Sequence, residues 1–271
     1  MEVEFYGFVR QYHHLKAEIH AAIHEVLESG KYVLGPALAR FEEELATYWR
    51  MRHAVGVNSG TDALWLALLV LGIGPGDEVI TVANTFFATA EAIWFVGARP
   101  IFVEIEPDTQ LIDPARIEEA ITGRTKAIVP VHLYGQLADM PAIAEIARRH
   151  DLFVVEDCAQ AIGATGHRFT SGELSDAVCT SLMIRKNLGT FGDAGAILTN
   201  RDDIVHDLRA LRNHGSLQRS VHSLGYNSRL DDLHAAILSV KLKHVDGWND
   251  RRREIAATYD ERLEEAGLKL P

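Results

Sequence analysis

Three polar side chains stand at the ends of apolar runs whose lengths suit buried strands. His132 ends the run KAIVPVH, Asp157 ends LFVVED, and Lys186 follows an apolar run from Cys179 to Ile184. A lysine in this position is either a charge that reaches water at a strand end or an amine held in a site. A single carboxylate after a strand is a helix cap about as often as it is functional. A lysine and an aspartate at ligand-facing strand ends form a more selective pattern than either does alone.

A second pattern, NSGTDALWLAL at residues 58–68, has the composition of a phosphate cradle. Gly60 permits a tight turn and a close approach of the backbone to a ligand. Thr61 opens an apolar helix whose free N–H groups attract an anion. The ordinary alternative is a plain helix N-terminus with Ser59 or Thr61 as its cap.

Apolar strand-like segments alternate with helical segments along the chain. Strand-like runs occupy residues 78–83, 100–105, 126–132, 152–157, 177–182 and 194–199. Helical spacing occupies residues 15–29, 37–50, 61–72, 88–97, 113–122, 140–150, 203–214 and 229–267. Trp94 and Phe95 are expected in the core. Near-continuous apolar strands between helices predict an α/β fold with a mostly parallel sheet covered on both faces, with ligands outside the carboxyl ends of the strands.

Composition excludes several classes of protein. The chain has 271 residues, 47% of them hydrophobic, and a net charge of −11, which argues against binding to nucleic acid or to an anionic membrane. The two cysteines are expected to be reduced core residues. His20 and His24 lie at i, i+4 spacing without a metal-binding signature, so no metal is expected. The N-terminal segment lacks the long apolar core of a secretory signal, and we expect a cytoplasmic protein.

Seven ordered motifs carry a resemblance to a known family: NSGTDAL, NTFFATAEAI, PVHLYGQLADM, VVEDCAQAIGATG, KNLGTFGDAGAILTN, LRNHG and GYNSRLDDLHAAIL. The chain resembles the DegT/DnrJ/EryC1/StrS sugar aminotransferases, which use pyridoxal 5′-phosphate (PLP) and have the type I aminotransferase fold. The resemblance implies an N-terminal helical arm at 1–34, a large PLP-binding α/β domain at 35–245, and a long helix at 246–271. Relatives continue into a small C-terminal domain, and we expect that domain to be missing from this chain.

The resemblance also implies a role for each residue that matches the family's motifs. Lys186 corresponds to the lysine that forms a Schiff base with PLP and shuttles protons, and Asp157 corresponds to the carboxylate that pairs with the pyridine nitrogen. The remaining matches are Phe86, which stacks on the ring, Gln160, which contacts the ring hydroxyl, Gly60, Thr61 and Ser181, which bind the phosphate, and Asn227, which a second subunit donates to the same phosphate. The last of these implies a homodimer with shared active sites.

The resemblance implies transamination of a nucleotide-linked keto-sugar in deoxyaminosugar biosynthesis, with glutamate or glutamine as amino donor. The HLYGQ form is similar to that of members that aminate C3 of a dTDP-linked 3-keto-sugar. One departure is the run Leu182, Met183, Ile184 and Arg185, where relatives have an aromatic residue and a proline. We expect Arg185 to depress the pKa of Lys186 or to capture a substrate phosphate.

Two alternatives stay open: a non-catalytic PLP-binding relative that acts as a dimerising partner, and a PLP-dependent sugar dehydratase. Dehydratases of the family replace the lysine by histidine, so Lys186 favours transamination. An unrelated Rossmann-like nucleotide binder lacks support, because no GxGxxG follows the first strand.

Overall fold

The computed structural model describes residues 6–166, 169–217 and 222–264. A seven-stranded sheet forms its centre. The strands are β1 His53–Val57, β2 Glu78–Val82, β3 Arg99–Val103, β4 Thr125–Ile128, β5 Phe153–Asp157, β6 Ala177–Ser181 and β7 Gly195–Thr199. The helices are α1 Phe8–Ser29, α2 Pro36–Trp49, α3 Gly60–Val70, α4 Ala88–Phe95, α5 Pro114–Ala120, α6 Met140–His150, α7 Asp202–Leu211, α8 Asp232–Leu242 and α9 Val245–Glu264.

The sheet is mostly parallel, which confirms the predicted α/β class. Its strand order is β1-β7-β6-β5-β4-β2-β3, and only β7 runs antiparallel to its neighbours among the described strands. Because β7 is reversed, its first residue, Gly195, lies opposite both Val57 and Ser181 at the carboxyl ends of β1 and β6. This register places three chain segments at one point on the ligand-facing edge.

Apolar side chains cover both faces of the sheet, as the continuous apolar strands predict. On β7, Ile197 packs into the core beneath α3, α4 and α7, whereas Ala196 and Leu198 pack into the core beneath α2 and α8. A third core joins α5 and α6 to β2, β4 and β5. Among the described helices, none is both long and apolar enough to cross a bilayer.

Strand β1 is absent from the sequence-based prediction. Its five residues, HAVGV, have glycine in the fourth position, which weakens both the apolar run and the strand propensity. Its pairing with β7 across all five residues stabilises it, and that pairing joins positions about 140 residues apart in the chain.

The helical segment predicted over residues 229–267 consists of two helices in its described part, which ends at residue 264. Helix α8 ends at Leu242, and α9 begins at Val245 after a short turn. Val245 is fully buried, whereas most of α9 beyond it is exposed. The turn therefore buries the start of α9 while directing the rest of the helix away from the core.

The expected burial of Trp94 and Phe95 is also wrong. Their side chains are 71% and 59% exposed, at the end of α4. Apolar residues at helical spacing face a core only when another element covers that side of the helix, and none of the described residues covers this one.

The predicted N-terminal arm packs on the predicted large domain. Leu15 and Ile19 of α1 share a buried cluster with Ile237 and Val240 of α8. The division at residues 34 and 245 stays a prediction, but α1 is not detached from the remainder of the described chain.

Candidate active site

Asp157 is the buried carboxylate of the site, at the last position of β5. Its Oδ2 accepts a hydrogen bond from Thr89 Oγ1 at 2.7 Å, and its Oδ1 accepts one from the Ala159 N–H at 3.1 Å. Burial raises the pKa of Asp157 above its ordinary value, and these two donors and the nearby Lys186 oppose the rise. The carboxylate therefore has donors that favour its ionised form and lone pairs left for a cationic partner.

Lys186 lies in the turn that follows β6, with a half-buried side chain. Its N–H donates to the Met183 carbonyl at 2.9 Å, and the next residue, Asn187, donates from its side chain to Asn249 Oδ1 of α9 at 2.9 Å. Partial burial lowers the pKa of the Lys186 amine, and the charge of Asp157 opposes that shift. The arrangement brings an amine and a carboxylate close enough for each to influence the protonation of the other.

The expectation that Arg185 depresses the pKa of Lys186 is not supported. The side chain of Arg185 is exposed, and its guanidinium carbon lies 5.2 Å from the centre of the Tyr6 ring. Burial is what lowers the pKa of Lys186. Leu182, three residues before Arg185, is completely buried and packs in the core that α2 and α8 cover. This residue of the departure from the family pattern therefore contributes to the apolar core.

The segment predicted to be a phosphate cradle lies where β1, β6 and β7 meet, and it has the Ser59 helix cap of the ordinary alternative. Ser59 caps α3, because its Oγ accepts from the Asp62 N–H at 3.0 Å, and Gly60 is the first residue of that helix. A Cβ on Gly60 would lie 2.6 Å from Ser181 Cβ, and one on Gly195 would lie 2.2 Å from the Ser59 carbonyl oxygen. Neither glycine position has room for a side chain. Ser181 and the start of α3, including Thr61, are thus held together beside the free N–H groups of the helix.

The family is identified by a sequence match over almost the whole chain, with which these features agree. The sequence profile of the DegT/DnrJ/EryC1/StrS aminotransferase family matches residues 13–271. The chain belongs to this family.

Two curated relatives match almost all of the chain. A protein of Geobacillus stearothermophilus named "Pleiotropic regulatory protein" is 51% identical over 267 residues, which cover 98% of this chain and 72% of the relative. A dTDP-3-amino-3,4,6-trideoxy-alpha-D-glucose transaminase of Streptomyces venezuelae is 50% identical over 260 residues, 95% of this chain and 68% of the relative.

The fold matches a solved family member equally well. The crystal structure of S. venezuelae DesV, in complex with a ketimine intermediate, superposes with a TM-score of 0.94 at 50% identity. The match covers 96% of this chain and 71% of DesV. The seven-stranded sheet is therefore the sheet of this aminotransferase family.

Of the residues that the family motifs single out, the structure brings Asp157, Lys186, Gly60, Thr61 and Ser181 to the same edge of the sheet. Asp157 pairs with Cys179 in the β5–β6 register, two residues before Ser181 ends β6. These residues come from three segments that lie far apart in sequence.

Three other family positions are exposed. Gln160 is exposed, and its Oε1 accepts from the Tyr134 N–H at 3.2 Å. Phe86 has 72% of its side chain exposed in the loop before α4, and Asn227 is exposed beside an isolated bridge to Asn213. The contacts that we predict between these three side chains and a cofactor stay predictions.

Of a buried polar network next to Asp157, the sequence analysis singled out His132 but missed Glu156. The Glu156 carboxylate accepts from His132 Nε2 at 2.7 Å, from Ser171 Oγ at 2.7 Å and from the Gly172 N–H at 2.8 Å. Burial alone would raise the pKa of Glu156, but its hydrogen bonds outweigh burial and the pKa is lowered.

The tautomer of His132 follows from its two contacts. His132 Nδ1 accepts from the Ala138 N–H at 3.1 Å, so the ring is neutral and carries its proton on Nε2. His132 therefore donates its one ring N–H to Glu156 and has none left for a ligand. Glu156 directly precedes the candidate residue Asp157 in the motif VVED, and that adjacency is the only sequence signal that could have drawn attention to it.

Proposed function

We propose that the protein is a PLP-dependent aminotransferase that transfers an amino group to the ketone of a nucleotide-linked sugar. The observation that carries the proposal is that the Lys186 amine and the Asp157 carboxylate, at the carboxyl ends of β6 and β5, lie near enough for each charge to act on the pKa of the other. The pKa of the amine is lowered by burial, and the carboxylate keeps donors that favour its ionised form. Membership of the family and the name of the S. venezuelae relative, a dTDP-amino-sugar transaminase, support the choice of substrate class.

The residues fit the three groups of PLP that need partners. Ser181 and the N-terminus of α3 offer donors to a phosphate. Asp157 offers a buried carboxylate to a pyridinium nitrogen, and Lys186 offers an amine to an aldehyde. When bound, PLP supplies the electron sink that stabilises negative charge on a carbon next to nitrogen.

Lys186 performs the proton transfers in this proposal. Its lowered pKa leaves more of the amine neutral near pH 7 than an exposed lysine would have, and a neutral Nζ can accept a proton from substrate carbon. The ammonium that results can return the proton to the carbon that receives the amino group. Asp157 stays ionised and fixes the orientation of its cationic partner.

We further propose the remaining elements of the assignment. Glutamate or glutamine donates the amino group, and the acceptor is a dTDP-linked 3-keto-6-deoxyhexose. The protein acts in the cytoplasm as a homodimer, and Asn227 contributes to the partner subunit's phosphate site. Exposed apolar side chains on the described surface, among them Phe87, Trp94 and Leu224, supply area that a second subunit would bury.

The decisive experiment is spectroscopic. Purified protein with added PLP should develop an absorbance band near the visible, borohydride should fix the cofactor covalently, and peptide mass analysis should locate it on Lys186. Lys186→Ala should lack the band and the adduct. Lys126→Ala, which removes an exposed lysine of β4, should keep both.

Glutamate or glutamine should then bleach the band of the wild-type protein, and a dTDP-linked keto-sugar should restore it. No band in the wild-type protein would reject the proposal in favour of the non-catalytic alternative. Release of a deoxygenated keto-sugar without an amino group would favour the dehydratase.

A further inference from the structure

Thr89 makes a side-chain contact with Asp157 that none of the family roles above includes. Thr89 lies in the first turn of α4, and its Oγ1 donates to Asp157 Oδ2 at 2.7 Å. Both side chains are buried, with 1% and 6% of their surfaces exposed. A hydrogen bond from a buried hydroxyl to a buried carboxylate has little competition from water, so it is stronger than the same bond at the surface.

The direction of each hydrogen bond follows from counting hydrogens. The Thr89 hydroxyl has one hydrogen, and Asp157 receives it. Thr85 Oγ1 lies 2.8 Å from Thr89 Oγ1, so Thr85 must donate to Thr89. The result is a directed chain from Thr85 through Thr89 to Asp157, in which each donor is polarised by the next acceptor.

The backbone holds this chain in place. The Thr89 N–H donates to the Phe86 carbonyl at 3.2 Å, which closes the loop between β2 and α4 so that Thr85 and Thr89 face each other. That loop also carries the exposed Phe86. A shift of the loop would therefore move the aromatic residue and the donor to Asp157 together.

We propose that Thr89 is a positioning residue that keeps the Asp157 carboxylate ionised and aimed at its cationic partner, with Thr85 polarising the Thr89 hydroxyl. The importance of this role for catalysis rests on the proposed function, in which the partner is a pyridinium. The contact itself does not, and it can be tested in protein without cofactor.

The first measurement uses cofactor-free protein with ¹³C-labelled aspartate carboxyls. Titration of Asp157 by NMR, with Asp157→Asn to assign the signal, should show a higher pKa in Thr89→Val than in wild type, by about one unit or more. Thr89→Ser keeps the hydroxyl and should restore the wild-type value. Thr85→Val removes the same atoms one step further away and should give a smaller shift.

The second measurement uses protein loaded with PLP. Thr89→Val should shift the pH dependence of the visible band and lower kcat on the order of tenfold, with KM for the amino donor little changed. Thr89→Ser should retain most of the activity. Thr89→Ala provides a second variant without the hydroxyl if the valine disturbs folding.

An unchanged Asp157 pKa in folded Thr89→Val and Thr89→Ala would overturn the inference. Equal effects of Thr89→Ser and Thr89→Val would do the same, because the hydroxyl would then not be responsible. If wild-type protein bound no PLP, the proposed function would fail, but the NMR comparison would still decide the role of Thr89.

Discussion

At the scale of single residues, the site depends on two groups whose pKa values move in opposite directions. Burial favours the neutral form of each, so it lowers the pKa of Lys186 and raises that of Asp157. Their mutual attraction favours the charged forms. Burial favours the neutral amine that a nucleophile needs. The attraction between the two groups favours the ionised carboxylate that would hold a cation.

The pH dependence of cofactor attachment tests this balance. We expect the rate of band formation with PLP to rise with pH around a midpoint below 10.5, the ordinary pKa of a lysine, because burial favours the neutral amine. Asp157→Asn removes a charge that raises the pKa of Lys186, so its midpoint should lie at a lower pH than that of wild type. Stopped-flow absorbance would measure both. A midpoint at or above 10.5, or a shift upward in Asp157→Asn, would contradict the expectation.

The sequence points to the candidate site residues better than it points to the side chains that contact them. Lys186, Asp157 and Gly60 lie in motifs whose residue types indicate which chemistry each position could perform. Thr89 and Glu156 do not, because a threonine in a helix and a glutamate in a strand acquire a role only through contacts that the fold creates. Thr89 meets Asp157 across 68 positions of sequence, and no local pattern encodes that distance.

At the scale of elements, close packing determines how the start of α3 meets β6 and β7. Helix α3 can start beside β6 only because Gly60 has no side chain, since a Cβ would lie 2.6 Å from Ser181 Cβ. The reversed strand β7 closes the same corner through Gly195. Sequence reasoning identified the turn at Gly60 but missed β1, the strand that delivers it, because short strands are stabilised by neighbours rather than by their own pattern.

Gly60→Ala should therefore damage stability and cofactor binding together. Overpacking of this kind costs about 1–3 kcal/mol, and relief of the contact would displace Ser181 or the start of α3 from the phosphate. Chemical denaturation and titration with PLP would measure the two effects. Gly74→Ala is the matched control, since its Cβ would approach no atom closer than 3.8 Å. Wild-type affinity for PLP in Gly60→Ala would argue against this corner as the phosphate site.

Helix α8 holds a buried lysine close to the Lys186 turn. Lys241 is 1% exposed, its Nζ donates to the Gly189 carbonyl at 2.6 Å, and it lies 4.3 Å from the centre of the Phe191 ring. Burial lowers its pKa from 10.5 to about 8. The contacts tie α8 to the segment that follows Lys186.

This lysine makes the stability of the fold depend on pH above neutrality. Between pH 8 and 10.5 the unfolded chain binds a proton that the folded protein releases, so the free energy of unfolding rises with pH across that range. The shift corresponds to about 3 kcal/mol at most. Lys241→Met, which keeps the volume, should remove this part of the slope, whereas Lys243→Met should not. Parallel slopes for wild type and Lys241→Met in urea denaturation would contradict the assignment.

At the scale of the whole molecule, the described surface carries several large apolar side chains that are mostly exposed. Phe86, Phe87 and Trp94 are each more than 70% exposed, and Leu224 is 94% exposed. Asn227 lies three residues after Leu224 and is itself exposed. Exposed apolar area of this kind is typical of a surface that another subunit covers, which agrees with the proposed homodimer.

Complementation between two defective variants tests whether the sites are shared. Lys186→Ala lacks the amine, and Asn227→Ala lacks the amide that we propose reaches the partner subunit. If each site combines Lys186 of one subunit with Asn227 of the other, mixed dimers contain one intact site. Random reassembly of equal amounts should then restore about a quarter of the wild-type sites. Bleaching of the visible band by glutamate would count them, with each variant reassembled alone as the control. If both residues served the same subunit's site, no mixed dimer would hold an intact one, and the mixture would show no more than the average of the two variants.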